Sequence, residues 1–155
     1  MQLRSKTPVS FRRLSVYQKV CLPVQIYRKK NVLRLHVSGD FYDNAYIDKW
    51  IDIIANSPSW HFFSYTKSWR VPSLIAKLNE LRELPNVNLF ASTDNTSGPP
   101  PPNWREAAID GMEHKTPAKN DRFMTCKQQL HQKSTCDDCK FCFRAPKGNV
   151  RFITH

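Results

Sequence analysis

Residues 32–54 read VLRLHVSGDFYDNAYIDKWIDII, and this run decides the fold. Its first part, VLRLHVS (32–38), is rich in apolar and β-branched residues and predicts a strand. Gly39 and Asp40 mark a turn. Asp43 then supplies the cap of a helix over 44–56, whose apolar positions Tyr46, Ile47, Trp50, Ile51 and Ile54 recur at helical spacing. A strand, a tight turn and a helix in that order make the first half of a parallel crossover.

Downstream the pattern repeats. WHFFSY (60–65) reads as a second strand, and Pro72 opens a helix with Leu74, Leu78 and Leu81 on one face. VNLFAS, from residue 87, reads as a third strand. Strands beginning near 32, 60 and 87 leave one βα unit between starts, the length of a right-handed crossover. TDNTSGPPPPN (93–103) interrupts the repeat, because four consecutive prolines favour an extended segment. A short helix is expected at WREAAID (104–110), irregular structure over 112–135 and a closing strand at VRFIT (150–154). Upstream, Val16, Val20, Leu22, Val24 and Ile26 suit one or two short strands, with Pro23 favouring an edge. The expected architecture is α/β: one domain over 1–155, with a basic segment at 1–30, a small parallel βαβαβ sheet in a core at 31–111, and a cysteine-rich, cluster-binding tail at 112–155.

A chain of 155 residues is large enough for a core of its own. No apolar run approaches the ~18 residues of a membrane span. The opening MQLRSKTPVSFRRLSV lacks the apolar stretch and small-residue cleavage site of a secretory signal. A cytoplasmic location with reduced thiols is expected, and no membrane partner. The net charge of +11 is uneven: residues 1–39 hold nine basic side chains and no acid, 40–113 hold six against ten acids, and 114–155 hold nine against three. Basic ends around an acidic middle attract polyanions or small anionic substrates.

Four of the five cysteines fall in TCKQQLHQKSTCDDCKFCFRAP (125–146), at Cys126, Cys136, Cys139 and Cys142. Clustered thiolates in a reducing compartment bind soft metals. Structural zinc usually takes two C-x2-C pairs, whereas three cysteines in a C-x2-C-x2-C run have the spacing of iron–sulfur loops. A [4Fe–4S] cluster is therefore the leading expectation and zinc the runner-up. Phe123, Phe141 and Phe143 would shield a cluster, and Lys127, Lys133, Lys140 and Arg144 would offset its charge; the plain alternative is core phenylalanines and solvated lysines. Cys21, alone in VCLPVQ, reads as a small buried hydrophobe.

Chemistry in parallel α/β sheets gathers beyond the carboxyl ends of the strands. There the sequence places Ser38 and Asp40, then Tyr65, Thr66 and Lys67, then Ser92, Thr93 and Asp94. Asp40, Lys67 and His36 are the candidate catalytic groups. Against that stand the ordinary roles of such residues, since Asp and Ser cap helices and an internal His is often simply satisfied.

The segments RLHVSGDFYDNAYIDKWIDII, FFSYTKSW and VNLFAST, followed by the C…CxxCxxCF ending, resemble the phage gene product 88 family over residues 31–145. That resemblance implies a viral or mobile-element origin and an iron–sulfur centre on Cys126, Cys136, Cys139 and Cys142; it supplies no reaction. The strand motifs are also distantly similar to radical-SAM-type half barrels. The CX3CX2C loop of that superfamily is absent, so no S-adenosylmethionine cleavage is expected.

Three functions compete. One is an enzyme with a cluster near the strand ends, hydrolase-like on a small polar substrate, or a redox enzyme with an electron partner. Another is a nucleic-acid-binding protein in which Arg12, Arg13, Lys29, Lys30, Lys140 and Arg144 track phosphates and Trp60, Trp69 and Trp104 stack bases. The last is a host-interaction protein whose cluster only fastens the tail. The gathering of polar residues at the strand ends tips the reading toward the enzyme.

Overall fold

The computed structural model describes residues 25–27, 31–109, 111, 123–130, 135–144 and 148–153. In chain order its elements are β1 (Gln25–Tyr27), β2 (Val32–Arg34), α1 (Asn44–Ala55), β3 (His61–Thr66), a 3-10 turn (Ser68–Arg70), α2 (Pro72–Arg82), β4 (Val87–Thr93), β5 (Arg105–Ile109), β6 (Phe123–Thr125), α3 (Cys136–Cys139), α4 (Phe141–Arg144) and β7 (Asn149–Phe152). The strands form one sheet in the order β1-β2-β3-β4-β5-β7-β6. β1 runs antiparallel to β2, and all the other neighbours are parallel. The parallel sheet is thus larger than the expected βαβαβ unit, with six strands running one way.

Asp43 caps α1 by accepting from the Tyr46 N–H at 2.6 Å, and Pro72 occupies the first turn of α2. β2, β3 and β4 are neighbours in sequence order, so two right-handed crossovers put α1 and α2 on the same face. That face holds the main core: Leu33, Phe62, Leu89 and Ala91 from the strands pack with Ile47, Trp50, Ile54, Leu74, Leu78 and Leu81 from the helices. Burial of each large side chain contributes about 1.5–3 kcal/mol. The alternate strand residues Val32, Phe63, Phe90 and Val150 face the other way and are covered by the cysteine-bearing tail.

Three expectations need correction. WREAAID forms a strand, not a helix: Arg105 pairs with Phe90 on one side and Ala107 with Val150 on the other. Lying between two strands gives that backbone a ladder partner on each side, which outweighs the helix preference of Ala, Glu and Arg. The stretch expected to be irregular contains β6, which pairs with β7 through Phe123 and Asn149. β2 ends at Arg34 because His36 adopts a left-handed backbone (φ 54°) and turns the chain out of the ladder. The region of Val16 to Val24, like Cys21, lies outside the described residues.

Candidate metal centre and the carboxyl edge of the sheet

The C-x2-C-x2-C run folds as two single helical turns. Thr135 caps the first: its hydroxyl accepts from the Asp138 N–H at 3.3 Å, and the Asp138 carboxylate accepts from the Thr135 N–H at 3.1 Å. Lys140, left-handed at φ 57°, ends α3, and its N–H donates to the Cys136 carbonyl at 2.9 Å. Residues three apart share a helix face, so α3 presents Cys136 and Cys139 together, and the turn at Lys140 redirects the chain so that Cys142 joins them. Phe143 anchors α4, 5.8 Å from the Phe63 ring and nearly fully buried. Cys126 arrives from a separate segment, just beyond the carboxyl end of β6, where its N–H donates to the Arg151 carbonyl at 2.8 Å.

None of the four cysteines is in a disulfide, each is half-buried, and all four line one cavity of about 60 Å³ between the sheet and the tail. Arg34, Tyr65 and Phe152, each at or next to the carboxyl end of its strand, form part of the same wall. Among the described residues no three His, Cys, Asp or Glu side chains converge tightly enough to hold a single metal ion. The sulfurs surround a space, not a point. Burial pushes the Cys142 thiol up to about 11, opposed by a hydrogen bond from the Tyr65 hydroxyl and reinforced by the other three cysteines. The Cys136 thiol donates to the Gln128 side-chain oxygen at 2.9 Å.

The expected strand-end residues gather on the opposite side of the sheet. The Asp40 carboxylate accepts from the Phe41 N–H (2.8 Å), the Thr66 hydroxyl (2.5 Å) and the Lys67 N–H (2.6 Å). The Lys67 ammonium meets Asp94 at 2.6 Å, and that bond holds the Asp94 carboxyl well below the usual range. His36 stands edge-on to Phe41 at 4.4 Å and shares a 2.9 Å hydrogen bond with the Tyr46 hydroxyl; burial lowers its pKa, an effect that Asp40 partly offsets. His36, Asp40 and Lys67 are therefore brought together, but none of them lines the cysteine cavity. Tyr65, expected beside them, points to the other face, because Thr66 and Tyr65 alternate across the strand.

The gene product 88 family profile matches residues 20–145, most of the length of the chain. The chain belongs to the gene product 88 family. No curated protein and no solved structure matches it. The match spans both the βα units and all four clustered cysteines, so the matched sequence takes in the helix-covered core and most of the cavity wall.

Of the basic residues proposed to track nucleic acid, Lys140 lines the cavity and Arg144 is exposed on α4, while Arg12, Arg13, Lys29 and Lys30 lie outside the described residues. Trp60, Trp69 and Trp104 pack against the helix-side core of this family member, and the Trp104 N–H donates to Asn79 at 2.9 Å. No helix among the described residues is long and apolar enough to cross a membrane. Sequence reasoning missed Arg34, Arg105 and Glu106. Glu106 is 1 % exposed on β5 and accepts from the Thr93 hydroxyl at 2.6 Å; Arg105 lies 4.1 Å over Phe90, with burial lowering its pKa to about 10. Once WREAAID is read as a strand, alternation alone puts Arg105 and Glu106 on opposite faces.

Proposed function

We propose that this chain is a phage iron–sulfur protein in which Cys126, Cys136, Cys139 and Cys142 hold a [4Fe–4S] cluster between the sheet and the tail. One observation carries the reading: four thiols from two separate stretches of chain surround a single cavity, with an aromatic wall around them. Its volume, about 60 Å³, is that of roughly four to six water sites, which suits a polyatomic group better than a lone ion. Four thiolates complete the coordination of such a cube, and the bound group supplies one-electron chemistry. The chain's own contribution is to bring the four sulfurs together, exclude water with Phe141, Phe143 and Phe152, and place the site at the carboxyl end of a parallel sheet, where substrates of such folds bind.

Purification without oxygen, followed by metal analysis, tests this. The expected result is a brown protein with about four irons and four sulfides per chain. A colourless protein with zinc and no sulfide overturns it.

A second reading, hydrolysis of a small polar or anionic substrate, draws on the other site. There Lys67 is half-exposed and joined to Asp94, with Asp40 and His36 close behind it. Lys67 would bind the anion and His36 would move the proton, while Asp40, already accepting three hydrogen bonds, holds the edge in shape. Turnover of generic ester, amide or phosphoester substrates, lost in Lys67→Met, supports that reading; activity untouched by Lys67→Met and Asp40→Asn removes it.

A further inference from the structure

Besides the cysteines, the cavity wall carries polar side chains that coordination does not use, and two of them, Tyr65 and Arg34, project from the sheet itself. Tyr65 sits on β3, ringed by Phe90 at 5.4 Å and Phe152 at 5.2 Å. Its hydroxyl hydrogen-bonds the Cys142 sulfur, in the same cluster of packed side chains. A phenylalanine would fill the same aromatic niche, so the hydroxyl adds only that bond. Arg34, the last residue of β2, lays its guanidinium 5.1 Å from the centre of the Tyr65 ring. Its Nε is buried with no hydrogen-bond partner among the described residues. A buried donor left unanswered is costly unless something in the cavity answers it. Arg105, another cation on this face, has its Nε committed to the Gly148 carbonyl at 2.7 Å and its guanidinium over Phe90 and Phe141, from where its charge also reaches Cys142.

We propose that Tyr65 and Arg34 are positioning residues for the cluster, the tyrosine through its hydrogen bond to the Cys142 ligand and the arginine through its charge, and that together they raise the cluster's reduction potential. This rests on the iron–sulfur reading above. A cube held by four thiolates is anionic, and accepting one electron makes it more so. A hydrogen bond to a ligand sulfur and a nearby buried cation both favour the more negative form, and both are recognised levers on cluster potentials. Lys127 and Lys140 also line the cavity, but an ammonium is strongly hydrated and its flexible stem can carry it toward water.

The test uses full-length protein loaded with iron and sulfide without oxygen: wild type, Tyr65→Phe, Arg34→Met and Arg34→Lys. Iron and sulfide are measured first, and dithionite then delivers the electron in a redox titration followed by visible absorption and electron paramagnetic resonance. At unchanged iron content, Tyr65→Phe and Arg34→Met should each shift the reduction equilibrium toward the oxidised form about tenfold, about 59 mV for a one-electron couple. Arg34→Lys keeps the charge on a hydrated, flexible ammonium that can swing toward water, so it should recover only part of the shift. A fully loaded Tyr65→Phe or Arg34→Met protein with an unmoved potential overturns the proposal and leaves the cluster reading intact. Wild type without iron overturns the cluster reading itself. If Arg34→Met cannot hold iron, Tyr65→Phe decides the matter by the same measure.

Discussion

On one face of the sheet, Leu33, Phe62, Leu89 and Ala91 lie beneath helices of twelve and eleven residues. On the other, Val32, Phe63, Phe90 and Val150 lie beneath two helices of four residues each. The first arrangement is sufficient in itself. Its helices carry apolar stripes, Ile47, Trp50 and Ile54 on α1 and Leu74, Leu78 and Leu81 on α2, that match the strand residues facing them. The second is not. A single helical turn fixes several residues for one or two hydrogen bonds and has little stability in isolation. Phe143 is the one fully buried side chain the two turns contribute, while their cysteines are held half-buried at the rim of a cavity. One face is held by hydrocarbon; the other has smaller apolar clusters arranged around four sulfurs, which a bound group would join under the proposed reading.

The strongest way to break that contrast is to remove a sulfur. Cys136→Ser should take iron from about four per chain to nearly none. Hydrogen exchange should then show lost protection over residues 135–144 and at β6 and β7, with α1 and α2 still protected. Equal loss on both faces would mean that the sheet does not insulate its two sides. Next in size are matched core truncations. Leu78→Ala should cost about 2–5 kcal/mol and Phe143→Ala about 3–5 kcal/mol in the iron-loaded protein. After chelation of the iron the first cost should persist and the second should shrink, because a tail already loosened has less packing to lose. Denaturant titration of each protein, loaded and stripped, measures both. Smaller again is Asp40→Asn, at about 1–3 kcal/mol, since the carboxylate ties the loop before α1 to the end of β3 through Thr66 and Lys67. Iron content should not change, because Asp40 stands on the helix side.

The two faces were not equally legible in the sequence. The helix side was read nearly whole, since 3.6-residue periodicity in α1 and α2 and apolar runs at β3 and β4 report burial directly. The cysteines announced themselves because a C-x2-C-x2-C run has few uses. What lay between them was hidden. The three residues of β6 are too few to show alternation, and β5 was masked by Arg, Glu and Ala, whose helix preference yields only when strands flank both sides. Without β5, β6 and β7 in the sheet, its tail-covered face could not be drawn, and Tyr65 was assigned to the wrong side. Arg34 escaped for a related reason. In VLRLHVS it reads as the solvated position of a half-buried strand, and only the tail folding back over it makes it part of a wall.

The finest probe of the contrast is pH, because the helix side contains a titrating group that stands apart from the cysteines. His36 has its folded-state pKa lowered from 6.5, by burial first, with Asp40 opposing. The unfolded chain therefore takes up a proton at a higher pH than the folded protein does. The stabilisation is present above about pH 6.5 and is lost as the pH falls through the folded value, with a slope of at most about 1.4 kcal/mol per pH unit. His36→Asn removes the titration without disturbing the turn, because asparagine tolerates the left-handed backbone that His36 adopts at φ 54°. Chemical denaturation between pH 7 and pH 5 should show stability falling in wild type and a flatter profile in His36→Asn. The difference between the two proteins should be the same with iron bound and with iron stripped. A difference that changes on stripping would show that the turn at His36, 2.9 Å from Tyr46 on the helix side, senses the opposite face, and that the strands carry strain from one to the other.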